Sequence, residues 1–315
     1  MKRVYSIDCY KIFCMWGICF LHASGHVCCH PTQWLANLFY WCVPGFVFIS
    51  GWFGIDFSLK KILELYGIAL YAVVVIQIIR IVQGNSLDLI YAVKMFRDFW
   101  FLNAYVALMM VAPALNKMTD PSKIDKKVIV PLLLLSFGWA FCATVPGVRS
   151  LTPISQGVRE GSVIMMSGVY IVGRIFRNFE FRQRISNKWW RVGVVMSIIL
   201  VSFGLCSYTS PFSLFIAISV FLLVKDNAVC NMIGRLSAWM LPSLFSIYLF
   251  HSKGEFGLQI MASLEDVLLA RGIPLFVIYC IVAMCAFIAG ILLDLPRRLG
   301  VRAAKMLSLG FNKQQ

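Results

Sequence analysis

Apolar stretches of about twenty residues, separated by short polar loops, recur from one end of the chain to the other. That length is what an α-helix needs to cross the hydrocarbon of a bilayer. Within hydrocarbon only helices and closed barrels satisfy every backbone polar group, and these runs are far longer than a barrel strand, which takes roughly 9–11 residues. The pattern predicts an all-α fold, a polytopic membrane helical bundle of ten transmembrane helices at 7–25, 33–56, 62–82, 98–117, 128–146, 161–177, 191–208, 210–225, 236–251 and 274–294. Only 14% of the residues are charged, against about 25% in a soluble domain. No Pro/Ser-rich linker interrupts the series, so residues 1–315 are read as a single integral-membrane domain. The first run lacks a small-residue cleavage site and is read as a retained helix, not a signal peptide.

A net charge of +15 raises the question of nucleic acid. Its distribution answers it. With the N-terminus in the cytoplasm, 22 of the 29 lysines and arginines fall on the cytoplasmic side and 7 on the other. This is the positive-inside bias, and it puts both termini in the cytoplasm. The basic excess reports topology and contact with anionic membrane lipids; no nucleic-acid partner is needed. The 11 cysteines lie mostly inside the expected helices, where they serve as small apolar residues, and no disulfide is expected.

The first helix, "IDCYKIFCMWGICFLH" (7–22), carries Asp8, Lys11 and His22. Asp8 and Lys11 are one turn apart and can pair. Eleven residues turn a helix to within about 20° of the starting direction, so Lys11 and His22 share a face about 16 Å apart. Met15 and Cys19 fill the stripe between them. Such a line belongs against the bundle interior or a wet cavity, because the lipid side is costly. An interfacial ion pair with Lys11 snorkelling is the plainer reading of the inner end. His22, His26 and His30 fall at intervals of four, but Gly25 and Pro31 stop the helix and no carboxylate lies between them. No metal is expected.

Alternating direction through the bundle brings polar residues to two levels. His22, Arg97, Asp98, Trp100, Asn103, Glu160 and His251 lie toward the outer face; Lys11, Ser50, Gly51, Lys60 and Lys61 lie toward the cytoplasm. Taken singly, each also reads as structure: Trp100 as an interfacial anchor, Asn103 as a bond to a neighbouring helix, Glu160 as a surface ion pair, His251 as an interfacial cap.

As a set, the motifs resemble the acyltransferase 3 family of bacterial membrane O-acyltransferases. The first helix is similar to the family's in its Ile-Asp pair, a basic residue, ten residues and a His. "PGFVFISGWF" (44–53) resembles the family's second helix, "FWFLNAYVALMMVAPALNK" (99–117) its Trp-Tyr/Phe-Leu…Tyr…Pro helix, and "SIYLFHS" (246–252) its late Tyr-Leu-x-His helix. Two departures stand out. Lys11 occupies a position that is usually Arg, a point charge in place of a planar fork. The family's Arg-x-x-Arg at the start of the third helix is replaced by "LKKILELY", with Lys60, Lys61 and Glu64.

The resemblance implies an acyl-CoA donor, most simply acetyl-CoA, used as a co-substrate. Its phosphates would lie near Lys11, Lys60, Lys61 and Ser50, with Asp8 holding Lys11. Its arm would pass Met15 and Cys19 to bring the thioester to His22. His22 would act as general base or take the acyl group itself, with Asn103 or the Trp100 indole donating to the oxyanion. His251, Glu160 and Tyr105 would meet the acceptor, a polysaccharide or lipid-linked glycan, outside the cytoplasmic (inner) membrane. Two other classes stay open on the residues alone. A glycolipid or solute transporter would also place charges in helices, though no repeated pair of broken helices is visible. A non-catalytic polysaccharide-assembly protein would have no need of the acyl donor.

Overall fold

The computed structural model describes residues 3–26, 33–122, 127–128, 131, 163–178, 187–203, 208, 210–252 and 255–312. Every regular element among them is helical: α1 (Tyr5–His26), α2 (Gln33–Asn37), α3 (Cys42–Phe53), α4 (Leu59–Val82), α5 (Leu89–Asp98), α6 (Trp100–Met118), α7 (Val163–Asn178), α8 (Asn187–Ser202), α9 (Pro211–Val224), α10 (Ala228–Ser237), a 3-10 turn (Ala238–Ser243), α11 (Leu244–Ser252), α12 (Glu255–Leu269) and α13 (Leu275–Asn312).

Local chemistry sets several of these ends. Ser58, Asp88 and Asn227 sit in extended conformation before α4, α5 and α10, and each side chain accepts a first-turn backbone N–H. That satisfies one of the donors a helix start leaves open. Gly54 stops α3 at φ 80, a conformation costly for a residue with a Cβ. Pro211 opens α9, where its missing N–H is not needed.

Five helical stretches are long and apolar enough to cross a membrane: Leu35–Phe53, Leu59–Val82, Trp100–Met118, Ala228–His251 and Leu275–Ala304. Trp189–Ser202 and Pro211–Val224 are shorter and also apolar. The expected segment 128–146 lies outside the described residues, apart from 128 and 131. The segment expected over 33–56 is broken into α2 and α3 by a turn at 38–41. The segment expected over 236–251 opens with the end of α10 and the 3-10 turn, and becomes α-helical again as α11 from Leu244.

The outward surface identifies the solvent. On α4, Leu63, Leu70, Val74, Ile78 and Ile81 are exposed, and on α13 so are Met284, Ile288, Leu292, Leu295 and Leu299. These repeat at three, four or seven residues, so each helix turns an apolar stripe outward, which water would not tolerate. With those helices in hydrocarbon, the protein is an integral membrane protein.

α1 is the least apolar of the long helices and lies innermost. One buried cluster packs its Ile7, Tyr10, Cys14 and Ile18 with α3, α7 and α9. A second packs its Met15, Cys19, Phe20 and Ala23 with α4, α6, α11 and α13. A helix walled by others need not be hydrophobic all round, so α1 can carry charge. α3 and α7 approach backbone to backbone: a Cβ on Gly51 would meet the Tyr170 carbonyl, and one on Gly173 the Phe48 carbonyl. Small residues make such contacts between membrane helices possible.

Candidate active site

At the start of α1, Asp8 is buried, with 6% of its surface exposed. Its Oδ2 accepts from Arg3 Nε at 2.7 Å, while Lys11 Nζ stands 3.9 Å from Oδ1. Arg3 thus holds one carboxylate oxygen closely while Lys11 stands farther from the other, which leaves the Lys11 ammonium able to face an anion. Lys11 also lies over the Phe53 ring, 5.8 Å from its centroid.

Lys11 opens on a basin of about 600 Å³, walled also by Asp56, Lys61 and Glu64. A narrower, apolar cavity of about 250 Å³ adjoins it and is lined by Met15, Ile18, His22, Trp100, Tyr208, Leu241 and Tyr248 among others. Phe46, Ser50, Leu65 and Tyr105 border both spaces. At that junction the hydroxyls of Ser50 and Tyr105 are 3.1 Å apart, and Ser50 also donates to the Phe46 carbonyl at 3.0 Å. A basin carrying Lys11 and Lys61 and a cavity carrying His22 therefore meet along a single face of α1.

His22, half-buried, walls the cavity. Its ring centroid is 5.0 Å from that of His251, with the rings steeply inclined. His251 is buried, and its Nδ1 is 2.7 Å from the Ile247 carbonyl. A carbonyl only accepts, so in the neutral ring Nδ1 carries the proton and Nε2 is the basic nitrogen. Tyr248 fixes the neighbouring wall: its hydroxyl accepts the Phe101 N–H at 3.3 Å, in the first turn of α6.

A comparison with family models settles the relationship. The model described as an acyltransferase domain matches residues 4–294. The chain belongs to the acyltransferase 3 family. Comparison with curated proteins and with solved structures found no match.

In this acyltransferase 3 protein the residues singled out in the sequence divide into groups. His22, Trp100, Ser50, Tyr105 and Lys61 line the two spaces, His251 touches His22, and Asp8 is tied to Lys11. Lys60 is exposed at the start of α4 and does not line the basin. Asn103 turns elsewhere: its amide donates to the carbonyls of Phe96 and Arg97 at 3.0 and 3.3 Å, and Tyr66 donates to its Oδ1 at 3.5 Å. Those bonds close the end of α5, so the amide is not aimed at the cavity as an oxyanion donor. Cys19 is fully buried in the α4–α11–α13 core and does not line the passage, which runs past Met15 and Ile18 instead. Glu160 and His30 lie outside the described residues, as does the side chain of His26.

Three features were not read from sequence. Arg3 is the main partner of Asp8. Tyr208 walls the cavity beside Trp100, with ring centroids 5.6 Å apart. The third is a buried cluster at Asp294. Its carboxylate accepts from Ser243 and Ser246 at 2.7 and 2.6 Å, and from Arg297 Nε and Nη2 at 2.6 and 3.0 Å. This cluster pins α11, which walls the cavity, to α13. The Asp-x-x-Arg spacing of "DLPR" was its sequence signal, since i and i+3 meet on a helix.

Proposed function

We propose that the protein is a ten-span O-acyltransferase of the cytoplasmic (inner) membrane, with both termini in the cytoplasm. It transfers an acetyl or other small acyl group from cytoplasmic acyl-CoA to a hydroxyl of a surface polysaccharide or lipid-linked glycan on the opposite side. Membership of the acyltransferase 3 family supports the reaction class. The observation that carries the assignment of residues is the passage joining the Lys11 and Lys61 basin to His22. Phosphates stay in the basin beside the Lys11 and Lys61 ammonium groups, which share its wall with Asp56 and Glu64. The slender, largely apolar arm enters past Ser50 and Tyr105, and the thioester comes to rest beside His22.

There His22 acts as general base. It takes the acceptor proton as the hydroxyl oxygen bonds to the thioester carbonyl carbon. The carbon–sulfur bond then breaks, and the proton passes from the imidazolium to the departing sulfur, releasing CoA as the thiol. An imidazole suits both halves because its unperturbed pKa is near neutrality. Trp100, on the cavity wall, donates its indole N–H to the oxyanion.

The test is direct. Purified protein in proteoliposomes with externally supplied, radiolabelled acetyl-CoA should bind the donor, and surface glycan from cells carrying the intact gene should be heavier by one acyl group than glycan from cells lacking it. Absence of donor binding by the folded protein would refute the reading.

A further inference from the structure

A second cavity lies on the other side of the histidine pair. It has a volume of about 160 Å³ and sits between α4, α11, α12 and α13, with Ile76, His251, Met261, Leu264, Cys285 and Gly290 on its walls. Every other wall residue is also apolar, so His251 is its basic group. Ile260 and Cys285 on its rim are exposed. Ile260 is on α12 and Cys285 is on α13, next to the outward apolar stripe of that helix, so what lies outside the rim is hydrocarbon. His251 forms its inner wall and meets His22, which walls the donor passage. The two imidazoles are the partition between a space reached from the phosphate-holding basin and a space reached from lipid.

We propose that this second cavity takes an alkyl or isoprenoid chain of a lipid-anchored acceptor, and so brings the acceptor's hydroxyl-bearing head group to the histidine pair. The inference rests on the function proposed above for the donor side and names the acceptor class for the same site. Three observations carry it. The exposed rim residues, Ile260 and Cys285, are apolar, so a chain can reach the cavity from the bilayer. The walls offer a chain nothing but apolar contact; an apolar cavity of about 150 Å³ is known to stay dry and accept benzene-sized guests. The single basic side chain stands at the inner end, with Nδ1 held by Ile247, where a hydroxyl would arrive. Moving a chain from lipid into such a cavity gains no hydrophobic free energy. What it supplies is position: the head group is delivered to one place at one depth, the ordering that makes a bimolecular step effectively unimolecular.

The experiment uses the full chain in proteoliposomes without acyl-CoA, so its outcome is independent of donor binding and transfer. The probe is a decyl glucoside with a diazirine in its chain, photolysed and mapped by mass spectrometry. Label should concentrate on the segments holding Met261 and Cys285 over the lipid-facing Val74 and Ile288. Ala286→Trp, which fills the cavity from α13, should lower that label at least fivefold and leave Val74 and Ile288 labelling unchanged; Ala289→Leu serves the same purpose if the tryptophan variant does not fold. Excess decyl glucoside should suppress the label, and methyl glucoside, with the same head and no chain, should not. Even labelling over the outer stripes, equal labelling of the filled variants, or equal competition by the two glucosides would overturn the proposal. Donor binding by the same preparation, measured separately with acetyl-CoA, shows whether the parent reading stands.

Discussion

Replacing His22 by alanine separates the chemistry from the architecture, because the two effects differ in size. The ring is half-buried and lies edge-on to the His251 ring, with centroids 5.0 Å apart. An aromatic pair of this kind contributes about 0.5–1.5 kcal/mol beyond its buried area, so the stability loss should be small. Loss of a general base lowers the rate about 10²–10⁴-fold, which is about 2.7–5.5 kcal/mol in the barrier. His22→Ala protein in proteoliposomes should therefore bind acetyl-CoA within about threefold of wild type and melt only slightly lower, while acyl transfer falls by at least a hundredfold. Thermal unfolding, equilibrium binding of labelled acetyl-CoA and initial transfer rates on one preparation give the three numbers. Near-normal transfer would refute the role and move the base to His251. Parallel loss of transfer, binding and folding would show that the residue is structural.

Lys11→Ala should weaken acetyl-CoA binding at least tenfold with little change in melting temperature, and Lys11→Arg should restore it, as read by binding isotherms; unchanged binding by the alanine variant would make Lys11 a snorkelling residue only. Asp294→Ala removes the acceptor of four hydrogen bonds and strands Arg297; it should destabilise the protein by about 3–5 kcal/mol, seen as an early unfolding transition in detergent.

What sequence reasoning could see depended on whether partners shared a helix. Asp8, Lys11 and His22 lie on α1, so the 3.6-residue period alone related them, and the passage along α1 follows that stripe. Cys19 shows the limit of the same reasoning: it belongs to the stripe by count, yet the crossing of α4, α11 and α13 buries it. Asn103 was placed at the right level, but its bonds to Phe96 and Arg97 depend on the kinked junction of α5 and α6, which periodicity does not encode. The Ser243–Asp294 bond joins residues 51 apart in sequence, and the His22–His251 contact a far wider interval. Both are consequences of how helices dock, not of what any one helix contains. Arg3 escaped notice for a different reason, as it precedes the helix and looks like one more basic topology signal.

α13 has 38 residues and is thus about 57 Å long, nearly twice the roughly 30 Å of a hydrocarbon core. Its apolar stretch runs from Leu275 to Ala304, while Arg297, Arg298 and Arg302 occupy its later turns. Arg298 donates to Ser243, shortly after α10, whose Gly234 abuts the Tyr5 carbonyl at the start of α1. The helix therefore works as a depth gauge for the whole bundle. Sinking it by one turn would draw guanidinium groups into oil, and lifting it would strip its apolar stripe of lipid. With that depth fixed, Lys11 lies near the headgroup boundary, and on the function proposed above a water-borne donor would meet it there with its acyl end already under the surface.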